Sequence, residues 1–218
     1  MKKNLLTLLM FLTLHSLWAQ ESPQPVKNPP VNLETLISDR GVSVDLMVNK
    51  KFQSIPRLGF FSVTNVVGEW DQREIKDLMT QGQLTYQIIK GLDVLAGFHV
   101  TNVTGFRPTA GLMYSYKTPE FLLVVSPRVD LMKDGVIEGL TILEYTPKIN
   151  DNWNLYTRLQ ALYGQNLNPD SHARSYIQAR AGVNYKEFKF GVGTNLDRYG
   201  PMKENINSFG AFLGVALF

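Results

Sequence analysis

The chain has 218 residues, 22 Lys+Arg against 19 Asp+Glu, a formal charge of +3 and no cysteine. A charge so close to balance gives no electrostatic reason to expect nucleic acid. The absence of Cys excludes disulfides, thiolate nucleophiles, cysteine zinc sites and lipid attachment to an N-terminal Cys.

Met1-Lys2-Lys3-Asn4 opens the chain, the apolar run Leu5 to Leu14 follows, and Ala19-Gln20 offers a small residue at a cut point. A basic start, a run too short to span a bilayer and that junction predict a signal peptide over 1–19. QESPQPVKNPPVNL, 20–33, carries four prolines and little apolar content. It predicts a flexible leader over 20–40, ahead of a differently patterned region over 41–218.

From there on the pattern is alternation. In FRPTAGLMYSY, 106–116, Phe106, Ala110, Leu112, Tyr114 and Tyr116 oppose Arg107, Thr109, Gly111, Met113 and Ser115. WNLYTRLQALY, 153–163, and SYIQARAGVNY, 175–185, repeat it. A period of two means a strand with one apolar and one mainly polar face. Ten strands are expected, at 57–67, 82–90, 92–102, 106–117, 120–131, 136–147, 153–164, 174–186, 188–197 and 206–218. GVSVDLMVN, 41–49, alternates as well; paired with a strand around 32–38 it gives the alternative of twelve. Short polar reversals such as IIKGLDV and NYKEFKF alternate with generally longer links such as GQNLNPDSHAR, 164–174. That rim asymmetry belongs to an antiparallel up-and-down transmembrane β-barrel. Tyr114, Tyr116, Phe121, Tyr145, Trp153, Tyr163, Tyr185 and Phe188 sit near the ends of the apolar faces, most of them beside the short turns, as an interfacial aromatic girdle.

FGAFLGVALF, 209–218, ends on an aromatic residue. Here the sequence resembles bacterial outer-membrane β-barrel proteins, whose last strand ends on a terminal aromatic. The resemblance implies that Phe218 is part of the signal read by the barrel-insertion machinery and that the last strand closes on the first. It also implies a bacterial outer-membrane location after export, among lipid and lipopolysaccharide. The overall pattern, including Ala19-Gln20, looks like small uncharacterised barrels of the Bacteroidota. Within strand 209–218 the alternation leaves the lipid-facing set undecided between Phe218, Phe212 and Gly210 on one side and Leu217, Leu213 and Phe209 on the other.

With apolar faces turned to lipid, His99, Arg107, Arg128, Asp130, Glu138, Arg158, Gln160, Gln178 and Arg180 are the candidate pore-lining residues. Two arrangements follow from them. In one, Arg–carboxylate pairs fill a narrow interior, and the barrel is structural, a narrow pore or an accessory subunit of a larger complex. In the other, a surplus of Arg lines a small-solute channel favouring anions. A third reading is a rim hydrolase: His99-Val100-Thr101-Asn102 distantly resembles the His-x-Ser arrangement of outer-membrane lipid A deacylases, with Thr in place of Ser and no acidic partner. No catalytic residue, cofactor or metal site is assigned, and His172 is expected in a solvated loop. Over 68–81, GEWDQREIKDLMTQ has helical spacing at Trp70, Ile75, Leu78 and Met79. It predicts either a short helix that plugs the mouth or docks a partner protein, or a simple solvated loop.

Overall fold

The computed structural model describes residues 26–71, 75 and 77–218. The signal peptide expected over 1–19 lies outside them. Twelve strands follow one another: β1 (Val31–Ser38), β2 (Gly41–Lys51), β3 (Leu58–Glu69), β4 (Asp77–Ile89), β5 (Leu92–Thr101), β6 (Gly105–Lys117), β7 (Phe121–Asp130), β8 (Val136–Tyr145), β9 (Trp153–Leu167), β10 (Asp170–Tyr185), β11 (Phe188–Tyr199) and β12 (Glu204–Leu217). Each pairs antiparallel with its neighbours in sequence, and β1 pairs with β12 from Val31↔Leu217 to Ser38↔Gly210, closing the barrel. The count is therefore twelve rather than the ten expected first. The barrel also begins at Val31, so Val31–Ser38 of the segment read as a leader is a strand. Its partner β2 is the 41–49 segment that resisted a ten-strand scheme, joined to it by residues 39–40.

Two further expectations change. The helical spacing over 68–81 does not make a helix among the described residues: Gly68 and Glu69 end β3, and Leu78 and Met79 belong to β4. The long loop read over 164–174 is mostly strand, because β9 and β10 stay paired up to Leu167↔Asp170. Consequently the two rims are alike. The longest link at the rim carrying both Val31 and Leu217 (the terminal rim) is 146–152, as long as 70–76 at the opposite, distal rim. At the terminal rim the two-residue link 90–91 is made possible by Gly91, whose φ of +84° suits a residue without Cβ.

Side chains alternate between a polar interior and an apolar exterior. Ser126, Arg128 and Asp130 of β7 and Glu138, Ile142 and Glu144 of β8 turn inward, although both faces of each of these strands carry Leu, Val or Ile. In β12 Phe212 is 3% exposed and points in, while Leu213 is 58% exposed and points out. The outward set is therefore Leu217, Leu213 and Phe209, and Phe218, fully exposed one residue beyond β12, stands at the terminal rim. Aromatic rings contact one another on this exterior, Trp153 with Tyr185 at 4.7 Å and Tyr116 with Phe121 at 6.4 Å near the terminal rim, and Phe98 with Phe106 at 5.6 Å near the distal one. An apolar band between aromatic rims has the make-up of a lipid-facing surface.

On that basis Leu159→Arg, at mid-height where Leu159 is 46% exposed beside Leu143, should lower stability in phospholipid vesicles by about 2–4 kcal/mol, whereas Leu217→Arg at the terminal rim should cost at most about 1 kcal/mol. Denaturant titration of vesicle-inserted protein measures both.

Candidate functional site

The interior is divided by a septum of side chains from six strands, β1 and β8–β12. At its centre Arg180 of β10 donates Nε–H to Glu34 Oε1 of β1 at 2.7 Å, and its Nη1 faces the Ala179 and Thr194 carbonyls and Asn195 Oδ1 at 3.0, 3.0 and 2.9 Å. The guanidinium lies along the barrel wall over Gly193, its cross-strand partner, where a Cβ would stand 2.6 Å from Arg180 Cδ. Arg158 of β9 reaches the other Glu34 oxygen at 3.9 Å and Glu144 at 3.6 Å, and donates to Gln160 Oε1. Gln160 passes the chain on to the Tyr176 hydroxyl at 2.8 Å. Apolar side chains complete the filling: Leu36, Tyr156 and Phe212 form a buried cluster, with the Tyr156 and Phe212 rings 5.7 Å apart. Lys189 Nζ lies 4.8 Å over the Tyr156 ring and donates to Asn32 Oδ1 at 3.3 Å. A small cavity bounded by Glu34, Asp45, Tyr156, Arg158 and Lys189 among others is about 30 Å³, room for one or two waters.

On the distal side of the septum the lumen widens to a vestibule of about 420 Å³, lined in part by Gln81, Gln83, His99, Arg128, Glu138, Gln160 and Tyr176. Its charges are tied in pairs. Arg128 grips Glu138 through Nε at 2.8 Å and through Nη2. Arg174 contacts Asp197 at 2.9 Å and Asp77 at 3.1 Å, and its guanidinium lies 5.3 and 4.7 Å from the Tyr176 and Tyr199 rings. The Tyr199 hydroxyl donates to Asp77 at 2.6 Å. At the rim Arg107 holds Asp134 through Oδ2 at 2.9 Å and its carbonyl at 3.0 Å, and that hydrogen bond keeps the exposed Asp134 carboxyl below the usual carboxylate range. A smaller cavity of about 250 Å³ adjoins the vestibule along Asp77, Val103 and Tyr199.

All nine residues read from the sequence as lumen-facing lie on inward faces, at different depths. His99, Arg128, Asp130, Glu138 and Gln160 line the vestibule. Arg158, Gln178 and Arg180 lie at or beside the septum, and Arg107 is at the distal rim. The surplus of Arg expected for an anion channel is not there: Arg107, Arg128, Arg158, Arg174 and Arg180 each have a carboxylate within 4.0 Å. Of the partners that complete those pairs, Glu34 comes from the segment read as a leader and Asp77 from the link read over 68–81, while Asp197 ends the strand expected over 188–197. Thr101 Oγ1 bonds Thr104 at 2.7 Å and not His99, so the hydroxyl–imidazole pair of the hydrolase reading is not assembled. His172 is buried rather than solvated, tying the Gly200 carbonyl at 2.7 Å to Ser175 Oγ at 3.0 Å.

No family model matches the sequence, and no curated protein is similar to it. Among solved structures, the NanC porin superposes with a TM-score of 0.54 at 13% identity, over 86% of this chain and 99% of that one. The KdgM porin gives 0.48 at 11% identity, again over 86% and 99%. OpdL of Pseudomonas aeruginosa gives 0.42 at 13% identity, over 83% of this chain and 67% of that one. The chain thus has the closed antiparallel barrel fold of the NanC porin.

Side-chain exposures of 2% and 8% make Arg180–Glu34 a buried pair. Removing only the cation strands the carboxylate, so Arg180→Met should lose about 3–5 kcal/mol. The double variant Glu34→Gln/Arg180→Met should be more stable than Arg180→Met alone, the sign of a coupled pair; urea titration of the three proteins checks this.

Proposed function

We propose that this protein is an integral outer-membrane barrel of porin type that works as a narrow, septum-restricted pore and performs no chemistry of its own. The observation that carries this reading is the septum. A twelve-stranded barrel has a wider lumen than an eight-stranded one, whose interior side chains can fill. Here that extra width is kept as a vestibule on one side and closed by ion-paired side chains on the other. Gap space for one or two waters beneath Arg158 passes water or small ions and holds back larger solutes. The NanC porin fold and the apolar outer band support the membrane setting.

Export by the segment 1–19, insertion by the barrel-insertion machinery and contact with lipopolysaccharide belong to the same reading. The rim turned to the periplasm is then the terminal one, and the vestibule opens outward. Because each of the five lumen guanidiniums lies against a carboxylate, the pore is expected to show no preference for anions. An accessory role in a larger outer-membrane complex is compatible with a restricted lumen, and no contact surface favours it over the pore.

In planar bilayers the folded protein should give small, uniform current steps, clearly below those of the NanC porin under the same conditions. Arg158→Ala with Lys189→Ala, which removes two side chains bordering the gap, should raise the step several-fold. Steps as large as those of NanC from the unaltered chain would contradict the proposal, as would complete silence from demonstrably inserted protein of both kinds.

A further inference from the structure

We propose that the distal vestibule is a binding site for a flat, uncharged heteroaromatic molecule, a fused-ring base of the purine class, held between two apolar walls and recognised along one edge by Gln81 and His99. The proposal rests on the porin-type reading only in taking the vestibule as reachable from the distal rim.

The walls follow from topology. Six places separate β2 from β8 and β3 from β9 in a ring of twelve strands, so these pairs stand on opposite sides of the lumen. The vestibule is bounded by Met47, Val63 and Met79 on β2–β4 and by Leu140, Ile142 and Leu162 on β8–β9. Met47 and Val63 are cross-strand partners, as are Leu140 and Leu162, so each wall has an apolar pair at its centre, with Met79 and Ile142 each one inward position along from a lining residue of its wall. The cavity that these walls share with the polar lining is about 420 Å³, within the size range of small-molecule pockets. Two thioethers on one wall favour an aromatic occupant over an aliphatic one, because sulfur–ring contacts are attractive beyond area burial.

The edge is defined by two polar side chains left without partners. Gln81 and His99 are 7% and 8% exposed, lie opposite each other across the β4–β5 ladder, and both line the vestibule. Among the described residues neither side chain has a hydrogen-bond partner, and His99 Nδ1 is a fully buried atom with none. Buried polar groups of this kind ordinarily find partners. An amide and an imidazole side by side offer a donor and an acceptor a few ångströms apart, the complement of a ring nitrogen next to an exocyclic amino or oxo group.

Charge excludes an anion. Asp77, Asp130 and Glu138 bound the vestibule against Arg128 and Arg174, and both guanidiniums are already bonded to carboxylates. A carboxylate or phosphate entering the cavity would meet guanidiniums already neutralised by carboxylates and an excess of negative charge.

Because the chain contains no cysteine, Leu140→Cys places a single reporter thiol in the wall, and its rate of modification by a water-soluble maleimide reads occupancy in the folded, detergent-solubilised protein. Adenine should slow labelling saturably. Naphthalene-2-carboxylate, flat but anionic, and decanoate, apolar and anionic, should not at the same concentrations. Adding Gln81→Leu should raise the adenine concentration for half-protection about tenfold, one lost hydrogen bond of about 1.4 kcal/mol, and the near-isosteric Gln81→Glu should do the same if the leucine variant does not fold. No protection by adenine, stronger protection by either anion, or protection unchanged in the foldable Gln81 variant would each overturn the proposal. The conductance of ligand-free protein tests the pore reading separately, so a failure of one leaves the other standing.

Discussion

Glu34 is the residue on which the interior turns. It receives Arg180 on one carboxylate oxygen and faces Arg158 on the other, and it does so from β1, the strand whose pairing with β12 closes the barrel. Without β1 the sheet has two open edges, each a row of unpaired backbone groups that cannot face hydrocarbon. The same strand without its carboxylate leaves Arg180 with neutral acceptors only and Arg158 with Glu144 as its one nearby carboxylate. Closure of the backbone and neutralisation of the septum arginines are therefore one structural event.

That event also shapes the space above it. Arginine side chains laid along the wall, as Arg180 is over Gly193, take up width low in the barrel and leave the distal half open. The septum is fixed by directional bonds, with Arg180 contacting four acceptors, and backed by the Leu36, Tyr156 and Phe212 cluster. The vestibule has the opposite character: apolar walls, paired charges and two polar side chains with nothing to bond. A rigid floor under an adaptable chamber is a sensible arrangement for a pore that holds a solute without letting it pass freely.

Much of the fold was legible because period two is unambiguous once one strand's faces are known. Arg107, Arg128, Arg158 and Arg180 could be assigned to the interior from the apolar neighbours flanking them. What could not be read has specific physical causes. VNLETLIS follows a proline-rich stretch, and Glu34 interrupts its apolar run, so β1 resembled a leader until β2 supplied a partner. Asn166, Asp170 and Ser171 suggested a loop, yet polar residues are what paired strands carry once they extend past the apolar band. Trp70, Ile75, Leu78 and Met79 matched a helical period by coincidence across a turn and the start of β4. The apparent surplus of arginine was an error of distance: Glu34 and Arg180 lie 146 residues apart, and only closure brings them together.

The most direct test of a divided lumen is thiol accessibility from each side. Single cysteines in this cysteine-free chain, at Ser126 in the vestibule and at Asn32 beneath the septum, would be exposed to a membrane-impermeant maleimide in vesicles holding the protein in one orientation. The account predicts that the Ser126→Cys thiol is labelled only from the distal side and the Asn32→Cys thiol only from the terminal side. Labelling of both thiols from one side at comparable rates would mean a continuous open lumen and would contradict it.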